Sequence, residues 1–149
     1  MIVKLKIADY AQISTRFNGT RIINPRPSSD IKIGQNYLVF SVDFCIQNGI
    51  FPGMTYYYIR ADYAGSFPIQ YPAELFEIVE NRIPSSYRLF KTNGVPTYFG
   101  IFHPILHPDN SEFLERLWDR DATALGELNK IEAEIIAELG YEEYFKSEI

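Results

Sequence analysis

The segment at residues 36–47, NYLVFSVDFCIQ, alternates apolar and polar side chains more regularly than any other part of the chain. Strict alternation over this length predicts a β-strand with one buried face, because successive side chains of a strand point to opposite sides of the sheet. The apolar side of the repeat consists of Leu38, Phe40, Val42, Phe44 and Ile46. A chain with this segment at its centre is expected to fold around an antiparallel sheet.

Shorter runs of the same kind predict three more strands, at residues 1–8, 54–63 and 76–80. Aromatic residues make up 15% of the chain, and they favour the pleated, half-buried surface of a sheet. We expect the four strands to form one strongly bent antiparallel sheet. Its predicted core consists of Phe40, Val42, Phe44, Ile59, Phe76 and Ile78.

Three glutamates, Glu74, Glu77 and Glu80, recur at every third residue. On a helix this spacing would gather three carboxylates on one face. Pro72 suits the first turn of a helix, but the sequence FEIVE that follows returns to a period of two. The pattern therefore predicts one helical turn at 72–75 and then a strand, so the carboxylates are not expected to converge as an acid pair.

The apolar spacing becomes helical after residue 109, with a first stripe ending at Trp118 and a second one running from Leu125 to Leu139. Asp121 is able to cap a new helix, and Gly140 is a suitable helix end. One helix or two helices meeting near Asp121 both fit this pattern.

Charge divides the chain at the same place. Residues 1–108 carry 10 basic and 7 acidic side chains, whereas residues 109–149 carry 4 basic and 12 acidic ones. We expect a β-rich, barrel-like region followed by an acidic helical region that packs on it, in a single domain. The acidic region would repel nucleic acid and attract a basic protein, with Glu132, Glu134 and Glu138 as contact residues. The competing interpretation is a solvated helix surface whose charge only keeps the protein soluble.

The only cysteine, Cys45, excludes an internal disulfide and suits a reducing compartment. The first residues lack the uninterrupted apolar stretch of a signal peptide, and no run approaches the roughly 20 apolar residues that span a bilayer. We expect a soluble, cytoplasmic protein without a membrane span or a cofactor.

His103 and His107 lie four residues apart in the sequence HPILHPDN. On a helix this spacing binds zinc, but Pro104 and Pro108 disfavour a helix here. Two loop histidines are the preferred interpretation, and neither a metal site nor a catalytic residue is predicted. A small metal-dependent hydrolase that uses this pair with a carboxylate is an alternative.

The strand at 54–63 offers the best candidates for a binding surface. Tyr56, Tyr58, Arg60 and Asp62 are predicted to point away from the core. Alternate tyrosines on a sheet provide rigid contact area with polar tips, which suits a protein partner. The competing interpretation is that the C-terminal helix covers this face.

Four segments in order carry a family resemblance: YLVF at 37–40, YYIR at 57–60, PAELFEIV at 72–79 and IPSSY at 83–87. Meandering strands that end in a helical turn and a final strand resemble an SH3-like small barrel. The same string, over about residues 30–90, resembles small bacterial immunity proteins of polymorphic toxin loci.

The resemblance implies an SH3-like small antiparallel barrel. Together with the helical segment that the apolar spacing predicts at the C-terminal end, this makes an α+β protein. It also implies a non-enzymatic domain that neutralises a cognate toxin by binding it, and the acidic tail adds the expectation that this toxin domain is basic. A peptide- or complex-binding adaptor of the SH3-like type is the alternative. No binding residue of the family is carried over to this chain.

Overall fold

The computed structural model describes residues 1–6, 31–45, 55–61, 67–91, 98–107 and 109–142. These residues form an α+β fold, as expected, with two antiparallel sheets and two C-terminal α-helices. The strands are β1 (Ile2–Leu5), β2 (Asn36–Leu38), β3 (Ser41–Cys45), β4 (Thr55–Ile59), β5 (Ile69–Pro72), β6 (Phe76–Glu80), β7 (Arg88–Lys91) and β8 (Tyr98–Phe102). The helices are α1 (Ser111–Trp118) and α2 (Ala122–Leu139).

The strands divide between a small sheet of order β2-β1-β6 and a large sheet of order β5-β4-β3-β8-β7. The prediction of one bent sheet is therefore wrong for the described part of the chain, where two separate sheets stand in place of a closed barrel. β7 and the strand that follows it, β8, pair antiparallel as a hairpin. Through β8 this hairpin extends the free edge of β3.

The predicted strand at 36–47 breaks where the chain passes from one sheet to the other. The Val39 N–H donates to the Met1 carbonyl at 3.2 Å, on the side of the small sheet. The next N–H, of Phe40, donates to the Tyr58 carbonyl at 2.9 Å, on the side of the large sheet. The backbone thus changes partners within two residues, and the alternation continues across the change.

Two hydrophobic clusters result from this exchange. One lies between the sheets and consists of Val3, Leu5, Ile31, Tyr37, Val39, Tyr57, Ile59, Tyr71, Leu75 and Phe76. The other joins the helices to the strands and consists of Ile2, Leu38, Phe40, Tyr87, Phe113, Leu117, Ala124, Leu128, Ile135, Ile136 and Leu139. Leu38 and Phe40 belong to the second cluster but Val42 packs on the first, so the predicted common face is wrong.

The segment of the three glutamates folds as predicted. A 3-10 turn, Ala73–Leu75, leads directly into β6. Phe76 is buried, as expected, but Ile78 is 55% exposed and its assignment to the core is wrong. Ile78 lines a cleft between the two sheets that is open to solvent.

Two helices, not one, follow Asn110. The Asp121 carboxylate accepts a hydrogen bond from the Ala124 N–H at 2.9 Å and so caps α2. Gly140 ends this helix in the left-handed region, with φ of 72°. Both signals were readable from the sequence. No helix among the described residues combines the length and hydrophobicity needed to cross a membrane.

Candidate functional site

The tyrosine-bearing face of β4 lies against the helices. The register pairs Ser41 with Tyr58 and Asp43 with Tyr56, so these four side chains share one face of the large sheet. Asp62 lies outside the described residues. The sequence also allowed the interpretation that the C-terminal helix covers this face. That interpretation is correct at Arg60, whereas the face is only partly covered near Tyr58.

Arg60 corrects the prediction most clearly, because it points into the protein and not to solvent. Its Nη1 donates to Glu132 Oε2 at 2.6 Å and to Asn129 Oδ1 at 2.7 Å. The side chains of Arg60 and Glu132 are only 1% and 4% exposed. The pair ties the end of β4 to the middle of α2, and neither residue is available as a surface contact.

Glu132 therefore also departs from its prediction as an exposed contact of the acidic helix. Burial raises the pKa of its carboxyl to about 7, while the charge and the hydrogen bond of Arg60 act in the opposite direction. Desolvation of a carboxylate is large enough to outweigh one ion pair, which explains the direction of the net shift.

The other two glutamates predicted on α2 are exposed. Glu134 lies 3.9 Å from the ammonium of Lys130, in an exposed pair across one helical turn. The Glu138 carboxylate accepts a hydrogen bond from the Ser85 N–H at 2.8 Å. Of the predicted acidic contacts, Glu134 is the one best placed to meet a partner.

Beside Tyr58, the large sheet and α1 enclose a cavity of about 390 Å³, which we call the aromatic pocket. This volume lies within the range of ligand-binding clefts, about 300–1,000 Å³. Six aromatic residues contribute to its walls: Tyr58, Phe67, Phe90, Phe99, Phe102 and Trp118. Leu114 and Leu117 close it on the side of α1.

Asp43 is the only charged residue among the described residues that line the aromatic pocket. The Ser41 hydroxyl donates to Asp43 Oδ1 at 2.7 Å. Burial raises the pKa of the Asp43 carboxyl above its ordinary value, and hydrogen bonds from Ser41 and Tyr58 partly offset this rise. The pocket thus holds a half-buried carboxylate on its sheet side.

Trp118 stands at the aromatic pocket with 61% of its surface exposed. It is the last residue of α1, and its ring meets the edge of Phe67 with centroids 6.5 Å apart. The helical spacing placed Trp118 on the apolar stripe, where burial would be expected. Its exposure next to an open pocket marks it as a candidate contact residue.

Sequence reasoning missed both Asp43 and Trp118 as site residues. A signal for Asp43 was present, because it is the one charged residue in the best alternating strand. Its pocket only becomes visible once β8 and α1 are in place. Trp118 carried no comparable signal, since an aromatic residue at helical spacing normally belongs to the core.

A second cavity, of about 570 Å³, is the cleft between the two sheets. Its walls are mostly apolar and include Val42, Phe44, Tyr57 and Ile78. Glu74 and Asn81 also line it, but both are exposed on the surface. The described lining of this cleft holds no buried or half-buried charged side chain, so the cleft offers less specificity than the aromatic pocket, which holds Asp43.

The two histidines serve as local turn acceptors. His103 Nδ1 accepts from the Ile105 N–H at 3.2 Å, and His107 Nδ1 accepts from the Asp109 N–H at 3.0 Å. No group of three or more potential metal ligands occurs among the described residues. Cys45 is the last residue of β3. The geometry of this part of the chain gives the hydrolase alternative no support.

Comparison with known proteins adds no family assignment. No family model matches the chain, and neither the curated proteins nor the solved structures contain a significant match.

Proposed function

We propose that this chain is a non-enzymatic protein-binding module of the immunity type, which neutralises a basic toxin domain by docking it at the aromatic pocket. The observation that carries the proposal is the exposed Trp118 beside an aromatic-walled pocket with a carboxylate inside. Tryptophan dominates many protein interfaces when it inserts next to a preformed pocket. Acidic side chains on the adjoining helices favour a basic partner.

Strand order supports the SH3-like part of the proposal. β1 pairs with β6, the 3-10 turn Ala73–Leu75 precedes β6, and β3, β4 and β5 form a meander. The bent passage from β2 to β3 shares one stretch of chain between both sheets. The meander, the 3-10 turn and β6 follow one another in the order that the resemblance over about residues 30–90 implies.

Bacterial growth tests the immunity function. If the adjacent gene encodes the proposed toxin, its expression should arrest growth, and co-expression of this chain should restore growth. The alternative, a housekeeping adaptor, predicts a neighbour that is harmless when expressed alone. A toxic neighbour that this chain neither binds nor neutralises would contradict the proposal.

Association with a basic partner is expected to depend on charge. Glu127 and Glu134 are exposed on α2, and their replacement by lysine should slow association about tenfold at low salt, because exposed charges act mainly on the encounter. Glu132 is excluded because it is buried, and Glu138 because it accepts from the Ser85 N–H. Stopped-flow or surface-based kinetics at several salt concentrations provide the measurement.

Glu74→Lys/Glu77→Lys is the matched control, since both glutamates are exposed on the side of the small sheet. The control should associate at a rate close to that of the wild type. Screening over about 8 Å at physiological ionic strength should reduce the difference between the α2 variant and the wild type. Association that is independent of salt, with equal rates for both variants, would show that the acidic helix serves only solubility.

A further inference from the structure

The carboxylate of Asp43 lies in an unusual position for a charge. It is half-buried on the sheet side of an aromatic cavity, and no basic side chain of the described residues forms an ion pair with it. Removing a carboxylate from water without a counter-ion is unfavourable, so such a group often belongs to a binding function. Hydrogen bonds from Ser41 and Tyr58 favour its ionised form.

The neighbouring strand β8 approaches the Asp43 carboxylate closely. Gly100 is the residue opposite Asp43 on β8, and a Cβ atom there would lie 2.9 Å from Asp43 Oδ1 and 2.9 Å from the Val42 carbonyl oxygen. Ser41, which orients the carboxylate, is itself buried. A carboxylate accepts about four hydrogen bonds, so these contacts leave acceptor capacity for a ligand in the pocket.

The walls of the pocket suit an organic cation. Tyr58, Phe90, Phe102 and Trp118 surround the cavity, and the faces of aromatic rings attract cations. A guanidinium group is planar, stacks on such rings and pairs with a carboxylate through two hydrogen bonds. An ammonium group matches the charge but lacks this planar geometry.

We infer that the aromatic pocket binds an arginine side chain presented by the partner protein, with Asp43 as its counter-ion and the aromatic walls as its stacking surface. The identification of the source as a partner protein rests on the proposed function. The identification of the chemistry rests on charge complementarity, since the described lining residues contribute one negative charge and no positive one.

Trp118 supplies the signal for a direct test, because it is the only tryptophan of the chain. We expect N-acetyl-arginine methylamide, titrated into the full chain, to change the Trp118 fluorescence in a saturable way. The neutral isostere, N-acetyl-citrulline methylamide, should bind at least about tenfold more weakly, since it lacks the charge that Asp43 and the rings recognise. The affinity of the corresponding lysine probe, N-acetyl-lysine methylamide, should lie between those of the arginine and citrulline probes.

Asp43→Asn keeps the shape of the side chain and removes its charge, and it should weaken the arginine probe by about tenfold or more. Asp109→Asn is the matched control, with a 92% exposed side chain, and should bind like the wild type. Equal binding of the arginine and citrulline probes to the wild-type chain would overturn the inference, and this comparison needs no variant to fold.

Binding of the toxin partner, measured on the same samples, separates the two proposals. If the partner binds and Trp118→Ala weakens it while the arginine probe does not bind, the inference fails and the proposed function stands. If the arginine probe binds at Asp43 but the partner does not bind the chain, the proposed function fails and the cation site stands.

Discussion

Replacement of Arg60 with methionine is expected to lower the free energy of unfolding by about 1–2 kcal/mol at pH 8, because the buried Glu132 carboxyl loses its counter-ion and must then stay protonated in the folded state. Methionine retains much of the aliphatic volume, so the loss comes mainly from the charge. Urea unfolding followed by circular dichroism provides the measurement. Lys130→Met is the control: it removes an exposed charge from the same helix and should change stability by about 0.5 kcal/mol or less.

The effect of Arg60→Met is expected to depend on pH. Because the folded pKa of Glu132 is about 7 against an ordinary value of 4.5, the folded state holds a proton that the unfolded state releases between these values. This contribution to stability, about 3 kcal/mol, is fully present below pH 4.5 and is lost as the pH rises to about 7. Without Arg60 the pKa rises further, so the loss continues above pH 7.

Wild type and Arg60→Met should therefore differ most at pH 8 and approach each other at about pH 5.5. Adding Glu132→Gln to Arg60→Met should recover much of the stability lost at pH 8, because the uncompensated charge is then removed. An equal loss at both pH values, with no recovery in the double variant, would contradict a buried ion pair between Arg60 and Glu132.

Phe40→Ala is expected to lower the free energy of unfolding by about 3–5 kcal/mol, because the ring is fully buried where the chain passes between the sheets. Phe44→Ala is the matched comparison on the same predicted apolar face. It should lose less, since Phe44 is half-buried and lines the open cleft. Denaturant unfolding of both variants provides the measurement. A greater loss of unfolding free energy for Phe44→Ala than for Phe40→Ala would contradict the passage of the chain from the small sheet to the large sheet at Val39 and Phe40.

The features that the sequence predicts correctly are those that depend on neighbouring residues. The Asp121 cap, the Gly140 helix end and the single turn before β6 each need only a few adjacent side chains. The strand at 36–47 was predicted as a strand for the same reason. Its division into β2 and β3 was not, because the alternation is unchanged while the hydrogen-bonding partners change.

The candidate site depends on distant pairs, which a single sequence does not reveal. Arg60 and Glu132 are 72 residues apart, and each looks like a surface charge when it is considered alone. Asp43 becomes a pocket residue only because Gly100 lies opposite it on β8. An isolated charge in a strand that is otherwise well patterned is the one local signal that could have directed attention to this site.

Affinity of the partner for Trp118→Ala tests the proposed docking surface most directly. Trp118 is exposed, so its truncation should leave the fold intact, and we expect affinity to fall by about 30-fold or more, mainly through faster dissociation. Leu89→Ala is the matched control, since Leu89 is 65% exposed and its neighbour Phe90 lines the pocket from the other face of β7. We expect wild-type affinity for the control; wild-type affinity in Trp118→Ala, or a greater loss in Leu89→Ala, would contradict docking at the aromatic pocket.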